Sequence, residues 1–469
     1  LRQGLALRVR KMLIPMLACG AIITAVQQPQ LFSDDDKRVT MTYWSDPQRY
    51  RIVPPTDFRA KGLWQVRLTV EGSTWLWNFN RARGVSMKPT SDSEGHEERD
   101  KVWDAWIDAK VNYDRWVAGQ VAAGANAIVV GNPPTVADTS VPVDRPQIPG
   151  PMPADMLAFV QQSWTSTVGL NQTINPPPGP PPIFAEAVVP MEYRIKFEDA
   201  EISYQDNCMR RAKYPYYRFD EGVLSAGKAV RTMPEKDLDK LIQMAGVSPS
   251  EARVMKAVSI LEGGFDSVNT YDTGYVSVGF IQFATLKDGA GSLGQLLLNY
   301  KQTNPDEFQR DFRKYGIDVT PLGVLSCLDW QTGAEVQGGD ANKQIIKDKR
   351  LIAVFQRAGQ KSSLFNAAQI RIAKNQYYPA NDTINIGLAG VSFTGKVTDF
   401  IKSEAGMATL MDRKVNTGKI DVLIPVLQKT ALTHSVKSFA DFAKYERQII
   451  EAVKYRRDYL KDQTLSQPS

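Results

Sequence analysis

The spacing of apolar positions divides the chain into two unlike halves. From Glu235 onward they recur every three or four residues, which predicts helices over 235–244, 249–262, 292–301, 306–315, 342–358 and 363–377, and again over 396–416, 420–427 and 439–460. A glycine-rich, strand-like stretch at 263–283 is the one interruption. The pattern therefore predicts a mainly α protein whose residues 234–460 form a helical domain with a small β-hairpin.

The first half is less regular. "GLWQVRLTVEGSTWLWNFNRARG" (62–84) reads as two strands turning at Glu71-Gly72, with Trp75 and Trp77 on one face, either as the core of a small sheet or as a grip on sugar rings. "HEERDKVWDAWIDAKVNYDRWVAGQVAAG" (96–124) is helical in period, and Val102, Trp106, Ala109, Tyr113, Trp116 and Val117 form a stripe that docks on a neighbour. Residues 38–130 thus read as a small α+β module. From Gly131 to Pro182 the composition turns proline-rich around a helix predicted at 154–167, and the connector that follows holds "YPYYRF" at 214–219. Residues 131–233 read as a Pro-rich linker and connector.

Composition sharpens this at the amino terminus. Residues 1–25 carry Arg2, Arg8, Arg10 and Lys11 and no acid, and an apolar run extends from Met12 to Val26. A basic head before a short apolar run suits a signal peptide or a short membrane anchor, with a buried helix as the other reading. The expected location is the periplasm or the exterior, or attachment to a membrane. Removing these four charges from the net +6 leaves +2, so charge gives no support to a nucleic-acid partner.

Of three cysteines, Cys19 falls in the leader, and Cys208 with Cys327 could form one disulfide. Two histidines, His96 and His434, argue against a zinc centre and against a histidine-based triad, and no cofactor is expected.

The candidate chemistry lies in "VSILEGGFDSVNTYDTGYVSVGFIQFA" (258–284). The preceding helix opens with Ser248 as N-cap, Pro249 and Glu251, a capping box with proline in its favoured place. Val254, Val258 and Leu261 supply its buried stripe, and Gly263-Gly264 stop it, so Glu262 occupies the last turn. Unpaired carbonyls and an apolar face both disfavour a charged carboxylate there, which is what a general acid requires. Glycosidic cleavage also uses a second carboxylate or a held water. Asp272, ten residues on, is the candidate for the second group, and Asp266 is its weaker rival. Tyr271 and Tyr275 could stack on sugars, Thr273 and Ser277 could hold water, and Gln282 could bond an acetamido group.

With these residues in hand, the segment resembles the catalytic stretch of the lysozyme superfamily, in its phage and bacterial peptidoglycan-cleaving forms. By that resemblance Glu262 corresponds to the catalytic acid, and Ser277, Gly279 and Gln282 to positions lining the cleft. Asp272 falls roughly where two-carboxylate members carry their second acid. "SEAGMATLMDRKVNTGK" (403–419) is similar to a helix of the second lobe, and "EAVKYRRDYL" to the terminal helix of chitosanase-like and phage members.

The resemblance spans about 235–460. It implies a two-lobed lysozyme-like fold acting without cofactor on peptidoglycan or a related N-acetyl-sugar polymer, as a hydrolase or as a lytic transglycosylase. Chitin or chitosan as substrate, and a non-catalytic wall-binding protein, are the further alternatives. Residues 38–130 would then be free to contact an envelope or phage-like assembly.

Overall fold

Local sequence signals set the order of elements, and packing of first-half side chains into a shared core joins the two halves. The computed structural model describes residues 30–57, 64–85, 98–124, 146–165, 179–206, 211–259, 263–388 and 391–469. The leader with Cys19, much of the proline-rich stretch, His96, Cys208, Leu261 and Glu262 lie outside the described residues.

The first half contains α1 (Asp34–Ser45), β1 (Tyr50–Val53), β2 (Gln65–Leu68), α2 (Val70–Ala82), α3 (Glu98–Ala122) and α4 (Ala154–Thr165). The connector then supplies β3 (Ala185–Val188), β4 (Glu192–Lys196) and β5 (Glu201–Gln205). It returns to the start of the chain: β3 pairs antiparallel with β2, and β4 lies between β1 and β5.

The second half begins with β6 (Leu224–Ser225), α5 (Glu235–Ala245), α6 (Pro249–Ser259), β7 (Val268–Asn269), β8 (Ser277–Val278) and β9 (Phe283–Ala284). Next come α7 (Ser292–Thr303), α8 (Pro305–Asp311), β10 (Ile317–Val319), β11 (Leu325–Leu328) and β12 (Glu335–Gln337). Then α9 (Gly339–Lys347), α10 (Lys349–Lys361) and α11 (Ser363–Tyr377) precede β13 (Thr383–Leu388) and β14 (Val391–Lys396). The chain closes with α12 (Val397–Phe400), α13 (Glu404–Thr417), α14 (Leu423–His434) and α15 (Glu446–Ala452). The protein is mainly α with small antiparallel sheets, and no helix among the described residues is long and apolar enough to cross a membrane.

Beside a small Tyr217–Tyr271 cluster, two apolar cores form among the described residues. The smaller gathers Leu68, Trp75, Phe79, Trp103, Ile107 and Phe184 from α2, α3 and the β2–β3 pair. The larger runs from Tyr43 in α1 to Leu465 and takes Ile195, Ile202 and Tyr204 from the connector strands. Trp44 of α1 is 3% exposed, donates its indole N–H to the Tyr315 carbonyl at 3.1 Å, and packs its ring edge-on to Phe197 at 5.7 Å.

Several expectations need correction. Residues 70–82 are helical, because the Thr69 hydroxyl accepts from the Gly72 N–H at 3.0 Å and caps a helix where a hairpin turn was expected. Trp75 therefore stacks on Phe79 at 4.7 Å, while Trp77, two residues along, points elsewhere. In α3 the buried apolar residues are Trp103, Ile107, Val111, Tyr113 and Ala118, so Tyr113 of the expected stripe is buried while Val102 is 52% exposed. Trp106 and Trp116 are only half-buried, at the margin of the docked face.

The second half is not helical apart from one insertion. β10–β12 form a sheet and β13–β14 a hairpin, both from short β-branched runs between turn residues. Polar caps break two helices expected to be continuous: Asp348 accepts from the Arg350 N–H to start α10, and Ser403 from the Gly406 N–H to start α13. The expected helix at 439–460 is a 3₁₀ turn, the short α15, and then irregular chain. Cys327 is a free thiol wholly buried in β11, and Cys208, the other half of the expected disulfide, lies outside the described residues.

Candidate functional site

The stretch singled out in the sequence supplies three strands of a four-stranded sheet of order β6-β7-β8-β9, and β6 comes from the connector before it. Helix α6 leads into it. Its Ser248 N–H donates to the Glu251 carboxylate at 2.9 Å and the Ser248 hydroxyl accepts in return, so the capping box forms. Val254 and Val258 are wholly buried, and α6 is described as far as Ser259.

Gly263 takes a left-handed conformation (φ 133°). Gly264 then donates its N–H to the Ala226 carbonyl at 3.1 Å and bridges to Ala229. A Cβ at Gly264 would strike the Lys228 carbonyl, so only glycine lets these two strands approach so closely.

Asp266 is 5% exposed and is used up in fixing this bend. Its carboxylate accepts the Lys228 N–H at 2.7 Å and the Gln360 amide at 3.1 Å. Just beyond it, the Ser267 hydroxyl donates to the Gly279 carbonyl at 2.8 Å and accepts from Gln282 Nε2 at 2.7 Å. Gln282 also donates to the Gly279 carbonyl at 3.0 Å. It holds φ 58°, and its Oε1 takes no hydrogen bond among the described residues. Gly279 (φ 85°) lies against the Gln369 side chain, where a Cβ would clash. The structure thus brings Gly279 and Gln282 together beside the residues that directly follow Glu262.

Asp272 sits in the turn between β7 and β8. Its Oδ1 accepts the Gly274 N–H at 2.9 Å, and its Oδ2 accepts the Tyr214 hydroxyl at 3.0 Å and the Asn269 amide at 2.8 Å. Burial, reinforced by the Asp272 charge, pushes the Tyr214 hydroxyl well above its ordinary range, so it stays a donor at neutral pH. Three donors on one carboxylate make Asp272 the anchor of its own turn.

The remaining candidates are dispersed. Tyr271 is 7% exposed and packs between Tyr214 (5.9 Å) and Tyr217 (6.2 Å). Tyr275 is half-buried at φ 64° and leans on Phe219 at 5.1 Å. The Thr273 N–H donates to the Tyr216 carbonyl at 3.0 Å, and Ser277 is buried in β8 opposite Ala284.

Sequence reasoning missed the part played by "YPYYRF". It pairs with the Asp272 turn, through a Tyr217–Asp272 bridge and through the Arg218 N–H donating to the Tyr271 carbonyl at 2.7 Å. The density of aromatics was visible in the sequence, but no spacing rule connects them to a turn more than fifty residues away.

Among the described residues no group of His, Cys, Asp and Glu is placed to hold a metal ion. Comparison with protein-family models, with curated proteins and with solved structures finds no match to this chain.

Proposed function

We propose that this protein cleaves the glycan strand of peptidoglycan within a lysozyme-like domain, with Glu262 as the proton donor. The observation that carries this reading is the Ser267–Gly279–Gln282 network directly after Gly263-Gly264. Two positions of the resemblance, Gly279 and Gln282, share this network, Ser277 stands apart from it in β8, and the Gln282 carbonyl is left free to accept an acetamido N–H. The Glu262 carboxyl would protonate the bridging oxygen as the C1–O bond breaks. The carboxylate left behind then takes a proton from the incoming nucleophile.

Hydrolysis, with water as nucleophile, is the first reading, and Asp272 is its candidate second carboxylate. The hydrogen bonds on Asp272 favour a second reading. Both its oxygens already accept from the fold, so the nucleophile would be deprotonated by Glu262 alone, and a hydroxyl of the substrate itself can then attack to give an anhydro sugar. The leader-like first 25 residues fit delivery to the periplasm or the exterior.

The test is digestion of purified peptidoglycan with the wild type, Glu262→Gln and Asp272→Asn, with products read by mass spectrometry. Wild-type release that is abolished in Glu262→Gln supports the reading. Reducing ends indicate hydrolysis, and anhydro ends transglycosylation. Peptidoglycan bound but not cut by the wild type would overturn the enzyme in favour of a wall-binding protein.

A further inference from the structure

Three side chains outside the lysozyme-like segment converge on the Asp272 turn. Trp77, from α2, meets Tyr216 with ring centres 5.2 Å apart and planes at 72°. The Arg218 guanidinium lies over the Trp77 ring at 5.6 Å. Backbone bonds hold both connector residues to the turn, from the Thr273 N–H to the Tyr216 carbonyl (3.0 Å) and from the Arg218 N–H to the Tyr271 carbonyl (2.7 Å).

All three side chains are half-buried, and their polar ends are left over. Among the described residues, neither the Trp77 indole N–H nor the Tyr216 hydroxyl makes a hydrogen bond. Arg218 uses only Nη1, donating to Ser73 Oγ at 3.2 Å and to the Tyr217 carbonyl at 2.6 Å, so Nε and Nη2 have no acceptor. Nor does Arg218 form an ion pair among the described residues. Burial pushes its guanidinium below the ordinary value, against the opposing pull of Asp272, Tyr275 and Tyr214. An arginine stays charged even so, and an anion is the strongest acceptor for its unused Nε and Nη2 donors.

An aromatic pair with donors at its rim suits a pyranose, whose apolar C–H face lies on the rings while its hydroxyls take the polar edges. The Nε/Nη2 fork of an arginine suits a carboxylate. Resting on the glycan-cleaving reading, we propose that Trp77, Tyr216 and Arg218 form a sugar subsite specific for a ring bearing a carboxylate. The strand gripped would then be acidic, carrying N-acetylmuramic acid whose lactyl carboxylate is free of peptide, rather than neutral chitin or cationic chitosan.

Calorimetric titration of Glu262→Gln protein, which leaves the ligand intact, tests this with two probes. One is a peptide-free tetrasaccharide of alternating N-acetylglucosamine and N-acetylmuramic acid, and the other is the N-acetylglucosamine tetramer. The expected result is at least about tenfold tighter binding of the acidic probe, the size of one charge-assisted hydrogen bond. Adding Arg218→Gln should abolish that preference, Arg218→Lys should retain part of it, and Trp77→Ala should weaken both probes alike, with the unfolding temperature of each variant checked.

Equal affinity for the two probes, or a preference that survives Arg218→Gln, overturns the subsite. Cleavage of peptidoglycan by the wild type without any such preference would defeat the subsite and leave the enzyme standing. A clear preference in a protein that cuts nothing would do the reverse.

Discussion

At the scale of single residues, Asp272 and Gly279 carry the sharpest expectations. Asp272→Asn replaces one acceptor oxygen by an N–H₂ group that must face either the Gly274 N–H or the Tyr214 and Asn269 donors. A loss of about 1–3 kcal/mol in unfolding free energy is expected from the unmade hydrogen bonds, measured by urea denaturation. If Asp272 is only the turn's anchor, the rate on peptidoglycan should fall far less than in Glu262→Gln. An equal loss in a folded protein would restore Asp272 as the base. Gly279→Ala places a methyl group on the Gln369 side chain at φ 85°, and a cost of about 2 kcal/mol or more is expected in the same assay.

At the scale of elements, α6 is the helix that precedes the candidate acid in the chain, and it is fastened at its start. Ser248→Ala removes the cap and should cost about 1 kcal/mol. The first turn of α6 is also tied to α13, because Glu404 accepts from Ser250 Oγ at 2.7 Å and from Arg253 at 2.6 Å. Burial alone would raise the Glu404 carboxyl, but the Arg253, Ser250 and Ser466 donors outweigh it and hold the group at about 2, against 4.5 when free. Because the folded value is the lower one, the stabilisation is complete above pH 4.5 and is lost as the pH falls toward 2. Urea midpoints measured between pH 6 and pH 2.5 should decline over that interval in the wild type. The decline should be shallower in Glu404→Gln, which starts less stable at neutral pH.

The elements also show how far the sequence could be read. α5, α7 and α11 follow from periodicity, and the α6 capping box follows from three residues, since both signals are local. What misled the reading were competing local signals. Thr69 turned an alternating Trp pair into a helix, and Asp348 and Ser403 cut helices whose apolar stripes continued through the break. In the candidate site, the Ser267–Gln282 network lies within one legible segment. The Tyr214, Tyr216 and Arg218 contributions come from a separate stretch, and only tertiary pairing could reveal them.

At the scale of the whole molecule, the larger core does not respect the midpoint of the chain. Trp44, Ile195, Ile202 and Tyr204 sit in it, and Arg357 of α10 is held by Asp199 of the connector at 2.8 Å. A fragment of residues 234–469 would expose those contacts and should fail to unfold cooperatively, as followed by circular dichroism with dye binding. Within the full chain, Trp44→Ala should cost about 3–5 kcal/mol.

The clasp between α1 and residues 313–315 also bears on timing during synthesis. The Trp44 indole emerges from the ribosome some 270 residues ahead of the Tyr315 carbonyl it will bond. At translation rates of about 5–20 residues per second, α1 waits on the order of ten seconds or more for that partner. The second half cannot close its core as an early, independent unit, and a nascent chain stalled before residue 313 should remain open to proteases and holdase chaperones.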